Sequence, residues 1–224
     1  MTRIRFHQEL DDLKHRILAM AGMAEQAIDL SVQAYSQRDP ALCQRVLNNE
    51  GAINRAEREV DEFAIDLLAM QQPMAIDLRF ILAVIKINAD LERVGDQAVN
   101  IAQSAQRIVR HPRVKPYVDL PRMGELAEKM MRDSLDSLVR RDVELARSVL
   151  SRDDQVDQLR DQIFRELLTY MMGDSSVVYP AFELILVAKN LERIADHATN
   201  VAEDVIYMVA GSDVRHSAAD RHTA

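Results

Sequence analysis

The stretch that decides the fold is "DLERVGDQAVNIA", Asp90–Ala102, which returns one hundred positions later as "NLERIADHATNVA", Asn190–Ala202. Both copies keep Glu, Arg, Asp and Asn at the same places, although an apolar core does not need those polar residues. The apolar residues between them recur in alternating steps of three and four, the spacing of one buried stripe on a helix. The pattern therefore predicts two matched helices, each with a row of polar side chains on another face.

The apolar stripe can be followed along most of each helix. Its members are Val84, Ile87, Leu91, Val94, Ala98, Ile101, Ala105 and Ile108 in the first copy, and Leu184, Val187, Leu191, Ile194, Ala198, Val201, Val205 and Met208 in the second. A hydrophobic repeat of about 3.5 residues predicts nearly aligned helices with a left-handed twist.

The duplication extends beyond these helices, because Arg38–Asn54 matches Arg141–Asp157 in register. We expect an all-α fold of two tandem homologous three-helix bundles, each copy being about 100 residues long. The first repeat is assigned to residues 1–112, the second to 113–210, and 211–224 is expected to be a disordered tail. The six predicted helical segments are 4–37, 40–71, 74–110, 120–140, 143–172 and 178–210. The two bundles could form one elongated body or lie side by side.

Composition excludes several classes of function. A net charge of −8 argues against nucleic-acid binding, since phosphate attraction needs a positive face. The longest clean apolar run, Phe80–Ile85, is far too short to span a bilayer, so no membrane insertion is expected. Cys43 is the single cysteine and cannot form an internal disulfide. With no apolar signal segment at the start, we expect a cytoplasmic protein.

The polar residues of the repeated motif form a row of oxygen ligands. In each copy a Glu, an Asp and an Asn follow one another at intervals of four, so they share one face of the helix. These residues are Glu92, Asp96 and Asn100 in the first copy, and Glu192, Asp196 and Asn200 in the second. The row points away from the apolar stripe, and such oxygens suit magnesium, manganese, iron or calcium. Arg93 and Arg193 could instead supply the neutralising cation themselves.

The second helix of each repeat offers further carboxylates at the same spacing, Glu57 and Asp61 in one and Asp157 and Asp161 in the other. Packed beside the third helices, they predict two related metal sites, one in each repeat. His197 is a weaker candidate ligand, because its counterpart in the first copy is Gln97.

Two other interpretations compete with a metal-binding regulator. The rows could be ordinary solvated faces of a plain helical scaffold. They could also serve a carboxylate-ligated metalloenzyme, although the chain contains no phosphate loop, G-x-S-x-G, H-E-x-x-H or C-x-x-C motif. What favours a functional row is that four polar residues are identical in both copies while neighbours such as Gly95 and Ala195 differ.

The doubled motif, together with "QQPMAIDLRFI" before its first copy, resembles the PhoU family over residues 4–210, nearly the whole chain. The resemblance implies a non-enzymatic, all-helical, cytoplasmic regulator of phosphate uptake, with two three-helix bundles side by side. Members of the family negatively regulate the phosphate-starvation response by linking the Pst phosphate ABC transporter to its sensor histidine kinase. The implied partners are therefore the transporter ATPase and the kinase, and the implied assembly is a homodimer.

The resemblance also implies metal-binding sites. Some members carry multinuclear iron or other metal clusters on E(D)-x-x-x-D motifs, which fall on Glu92/Asp96 and Glu192/Asp196 in this sequence. Glu57/Asp61 and Asp157/Asp161 share the spacing. The metal could be iron, manganese, magnesium or zinc.

Overall fold

The computed structural model describes residues 2–70, 73–114 and 119–212, and side chains from residue 5 onward. These residues form helices and no strand, which confirms the all-α prediction. The helices are α1 (Thr2–Gln37), α2 (Pro40–Met70), α3 (Ala75–Ile108), α4 (Asp119–Arg140), α5 (Val143–Leu150), α6 (Asp153–Gly173) and α7 (Val178–Ala210), with a short 3-10 helix at Ser175–Val177 before α7.

The fifth predicted segment, 143–172, is wrong as one continuous helix, because a turn at Ser151 and Arg152 divides it into α5 and α6. The Ser151 hydroxyl donates to the backbone carbonyl of Ser148, and such side-chain bonds compete with regular helix geometry. Arg152 is drawn toward α4 by an ion pair with Asp133 at 2.8 Å. The chain therefore bends where its counterpart in the first repeat, within α2, continues without a break.

The same turn follows the first helix of each repeat. Arg38 and Arg141 occupy matched positions and both have a positive φ, 57° and 55°. In each case the following aspartate, Asp39 or Asp142, accepts a hydrogen bond from a backbone N–H of the next helix. The duplication thus extends to backbone conformation and helix capping.

The two three-helix bundles lie side by side, and α3 and α7 form the largest helix–helix interface in the molecule. The two helices run antiparallel, since Lys86 pairs with Asp204 at 3.0 Å and Arg107 with Glu183 at 3.1 Å. Each helix also packs against the other helices of its own bundle. This arrangement decides between the two packings that the sequence left open.

Every residue of the two predicted apolar stripes is buried, so the helical periodicity of α3 and α7 is confirmed. Helix α7 is capped just beyond its last residue by Gly211, whose φ of 70° is the left-handed conformation that favours glycine. The predicted disordered tail lies outside the described residues from position 213, and the repeat boundary at 112/113 stays a prediction. No helix in the described part of the chain combines the length and hydrophobicity that a bilayer crossing requires.

Candidate cation-binding surface

The polar rows lie on the flank of the bundles. Glu92, Asp96 and Glu192 are half-buried, Asp196 is exposed, and Asn100 and Asn200 are exposed one turn further along. None of the six side chains lies in the apolar core. Their oxygens are therefore accessible to an ion or a partner from solvent.

The first acidic cluster consists of Glu57 and Asp61 on α2 and Glu92 and Asp96 on α3. Partial burial raises the pKa of Glu92, and the negative charges of Asp96 and Glu57 raise it further. Arg93 and His197 oppose that rise. The spacing on α3 and the packing of α2 beside it thus bring Glu57 and Asp96 near Glu92.

A buried amide lies against this cluster. Asn88 is fully buried one turn before Glu92, and its Nδ2 donates to the Glu57 carbonyl and to Asp61 Oδ1, both at 2.8 Å. Since both partners are acceptors, they fix which atom of the amide is nitrogen. The remaining atom, Asn88 Oδ1, is buried without a hydrogen-bond partner. An unpaired buried oxygen needs a structural explanation, and a cation bound next to it would be one.

The second acidic cluster consists of Asp153 and Asp157 on α6 and Glu192 and Asp196 on α7. Burial raises the pKa of Asp196 to about 6, and the charges of Glu192, Asp153 and Asp157 add to that rise while His197 opposes it. Burial and neighbouring carboxylates also raise the pKa of Asp153. Asp153 is not among the residues predicted from the sequence, although it lies four residues before Asp157 and the same spacing rule identifies it.

The second acidic cluster contains an internal cation. Arg160 of α6 contacts Glu192 at 2.7 Å and Asp157 at 3.0 Å, and its other nitrogen contacts Asp161 at 3.0 Å. Asp161, predicted as a metal ligand, is thus paired with the guanidinium and is otherwise exposed. Arg93, the alternative cation of the first repeat, lies 3.9 Å from Asp90, and its charge also opposes the rise in the pKa of Glu92.

The buried residues of α2 and α6 show which positions correspond. Ile53, Val60 and Ala64 in α2 are buried like the aligned Val156, Ile163 and Leu167 in α6. In this register Glu57 corresponds to Arg160 and Asp61 to Phe164. Asp157 and Asp161 are therefore not the copies of Glu57 and Asp61, and the two clusters differ in composition.

His197 and Asn200 bridge the two repeats. His197 Nδ1 lies 2.8 Å from Asp90 Oδ1, and Asn200 Nδ2 donates to the same oxygen at 3.3 Å. Asp90 is nearly buried, so these contacts supply polar partners to a carboxylate inside the α3–α7 interface. His197 therefore connects α7 of the second repeat to α3 of the first.

The chemistry of these side chains suits a divalent cation, but their present positions do not form a complete metal site. Among the described residues, no three His, Cys, Asp or Glu side chains stand close enough together to hold a metal ion as they lie. In the first acidic cluster, however, Glu57 and Asp96 lie near enough to Glu92 to raise its pKa, and Asp61 accepts a hydrogen bond from Asn88. Carboxylates are the oxygen ligands that hard divalent cations prefer.

The fold and the two acidic clusters define a duplicated helical-bundle protein with an acidic flank. A family model described as the PhoU domain matches the chain twice, over residues 17–105 and 120–205. The chain belongs to the PhoU family, as the repeated motif indicated.

Relatives match nearly the whole chain. One from Pseudomonas putida, named phosphate-specific transport system accessory protein PhoU homolog, is 39% identical over 221 residues, 98% of this chain and 86% of the relative. Another of the same name, from Rhizobium meliloti, is 43% identical over 209 residues, 92% of this chain and 88% of the relative.

Solved structures match as closely. The crystal structure of PhoU from Pseudomonas aeruginosa superimposes with a TM-score of 0.89 at 39% identity, over 92% of this chain and 100% of that one. The phosphate transport system regulatory protein PhoU from Streptococcus pneumoniae gives a TM-score of 0.86 at 25% identity, over 93% of this chain and 99% of that one.

Proposed function

We propose that this protein is a regulatory accessory protein of a phosphate-specific transport system. The observation that carries the proposal is similarity along both repeats, at about two residues in five, to relatives with that name. In the finer form of the proposal, the protein represses the phosphate-starvation response by linking the transporter ATPase to a sensor histidine kinase in the cytoplasm. It acts through binding and not through turnover.

Exposed apolar side chains on the second repeat support a binding role. Phe164 on α6 is 46% exposed, Met172 at its end is 90% exposed, and Phe182 on α7 is 52% exposed. Large apolar side chains exposed to water are a feature of protein–protein contact surfaces when they form a patch. The second repeat therefore offers a surface on which a protein partner could dock.

The regulatory proposal is tested in cells that lack the native protein. The wild-type chain should restore repression of a phosphate-starvation reporter in phosphate-replete medium and should co-purify with the transporter ATPase or the kinase. Phe182→Asp should weaken both. Leu82→Asp places the same charge at the matched position of the first repeat, which is also exposed, and should leave both unchanged. Full repression without recovery of either partner would contradict the proposed link.

We also propose that the acidic clusters bind divalent cations, with iron, manganese, magnesium and zinc as the candidate metals. The support is the concentration of carboxylates that raise one another's pKa. Elemental analysis of the purified protein and Mn²⁺ titration of the metal-free protein test this proposal. The absence of any Mn²⁺ binding below millimolar concentration would exclude it.

A carboxylate-ligated metalloenzyme is the second candidate, and Asp196 is the observation that favours it. A carboxyl group with a pKa of about 6 can exchange a proton near neutral pH, as a general acid or base must. Metal-dependent hydrolysis of a phosphate ester that is lost in Asp196→Asn would support this candidate over the regulator.

The homodimer also remains a prediction. Sedimentation equilibrium of the full chain with and without Mn²⁺ tests it directly, and a single monomeric species at micromolar concentration under both conditions would contradict it.

A further inference from the structure

We propose that Arg160 is the built-in cation of the second acidic cluster, so that the two repeats differ in divalent-cation binding. The first acidic cluster takes a divalent ion directly, whereas the second takes one only when the ion displaces the Arg160 guanidinium. This inference rests on the proposed cation binding and adds that the repeats are unequal in it.

In the second repeat the positively charged Arg160 side chain bridges carboxylates of two helices. The Arg160 guanidinium lies 2.7 Å from Glu192 and 3.0 Å from Asp157, which belong to different helices. The side chain is only 33% exposed, so its ion pairs are partly shielded from water. A guanidinium stays protonated throughout the physiological range, and it therefore competes with an added ion at every working pH.

In the first repeat the corresponding position carries the opposite charge. Glu57 stands where Arg160 stands in the second repeat, and it adds to the negative potential at Glu92. Asn88, which corresponds to Ala188, contributes the buried Oδ1 that has no donor. Four carboxylates and one unpaired oxygen without a bridging guanidinium form a ligand set that remains open.

These differences predict unequal affinities. A divalent ion at the first acidic cluster relieves repulsion among carboxylates, whereas at the second cluster it must first break the ion pairs of Arg160. Removal of Arg160 should therefore create a second binding site of comparable strength to the first.

The test is Mn²⁺ binding to metal-free full-length protein, followed by the EPR signal of free Mn²⁺ and by calorimetry. Wild type should bind one Mn²⁺ tightly. Arg160→Met should bind a second, with second-site affinity raised by about tenfold or more, a factor that one well-placed charge readily supplies. Arg165→Met removes an exposed positive charge from the same helix and should leave the single site unchanged.

A matched pair of variants assigns the wild-type site to a repeat. Glu92→Gln should abolish the tight site, and Glu192→Gln should keep it. Arg160→Gln serves as a second variant if Arg160→Met is unstable, with thermal melts by circular dichroism as the check on folding.

The outcomes separate this inference from the proposed function. Two equal sites in wild type, or an Arg160→Met titration that matches Arg165→Met, would overturn the inequality of the repeats while leaving cation binding intact. No Mn²⁺ binding by wild type or by Arg160→Met would overturn both.

Discussion

At the scale of single residues, Asp196 links the acidic surface to stability. Burial and three neighbouring carboxylates raise its pKa to about 6 from the ordinary value of 3.8. The folded protein therefore holds this proton more tightly than the unfolded chain does. The resulting stability is complete below pH 3.8 and is lost as the pH rises through about 6.

Asp196→Asn should consequently stabilise the metal-free protein at pH 7 and have little effect at pH 3.5, where the carboxyl group is protonated in both states. Asp196 is exposed by surface area, although its neighbours desolvate one side of the carboxyl group, and solvent screening therefore limits the expected gain to about 0.5–1 kcal/mol. Urea unfolding at both pH values measures it. Glu59→Gln, which removes an exposed negative charge on α2, controls for the net charge, and an equal gain in both variants would contradict the argument.

Residues that share a helix face through their spacing could be predicted from the sequence. Residues whose roles depend on contacts between helices could not. The interval of four in "DLERVGD" and "NLERIAD" was sufficient to place Glu92 and Glu192 on accessible faces. The roles of Arg160 and Asn88 depend on how α2 and α6 pack in register against α3 and α7. That register follows from which apolar residues become buried, and an isolated arginine or asparagine in a sequence gives no sign of it.

At the scale of helices, packing between α2 and α3 explains one difference between the copies. An added Cβ on Gly95 would lie 3.0 Å from Cδ1 and 3.3 Å from Cγ2 of Ile53. The aligned positions of the second repeat carry Ala195 and Val156, so the larger residue on one helix accompanies the smaller on the other. Helix crossing distance thus couples these two positions.

Gly95→Ala alone should destabilise the protein, because a crowding cost of about 1–3 kcal/mol exceeds the gain of about 1 kcal/mol from replacing glycine in a helix. Combining it with Ile53→Val should recover most of the loss, although Ile53→Val alone costs about 1 kcal/mol. Urea unfolding of the four proteins gives the coupling energy. Simple additivity of the two changes would show that the contact does not limit packing.

The division of α5 from α6 shows where helix prediction failed. The periodicity of apolar residues continues through 143–172, and so it predicts one helix. At the turn the Ser151 hydroxyl donates to the Ser148 carbonyl and Arg152 pairs with Asp133 on α4. A tertiary ion pair of this kind leaves no periodic signal.

At the scale of the whole molecule, the duplication was visible in the residue pattern, whereas the side-by-side arrangement followed only from the resemblance to the PhoU family. Apolar stripes place α3 and α7 in a core without stating which other helices surround them. The choice is made by polar pairs that cross between repeats, such as Lys86 with Asp204 and His197 with Asp90. Such pairs fix one antiparallel register, because a shift would leave nearly buried carboxylates unpaired.

The ion pair of Arg107 with Glu183 tests how strongly this interface joins the repeats. Its partners differ in exposure, since the Glu183 side chain is 5% exposed and that of Arg107 is 46% exposed. Removing the arginine leaves the buried Glu183 carboxylate without its positively charged partner. Removing the glutamate leaves an exposed guanidinium that water can solvate. Arg107→Ala should therefore cost about 2 kcal/mol and Glu183→Gln about 1 kcal/mol or less.

Urea unfolding measures both costs, and Arg110→Ala, an exposed arginine just beyond the end of α3, is the matched control. Because α3 and α7 share one continuous apolar interface, we expect all three variants to unfold in a single transition, as the wild type should. A larger cost for Glu183→Gln than for Arg107→Ala would contradict the assignment of the buried partner. A second transition in Arg107→Ala would show that the repeats are held together mainly by this pair and not by the apolar stripes.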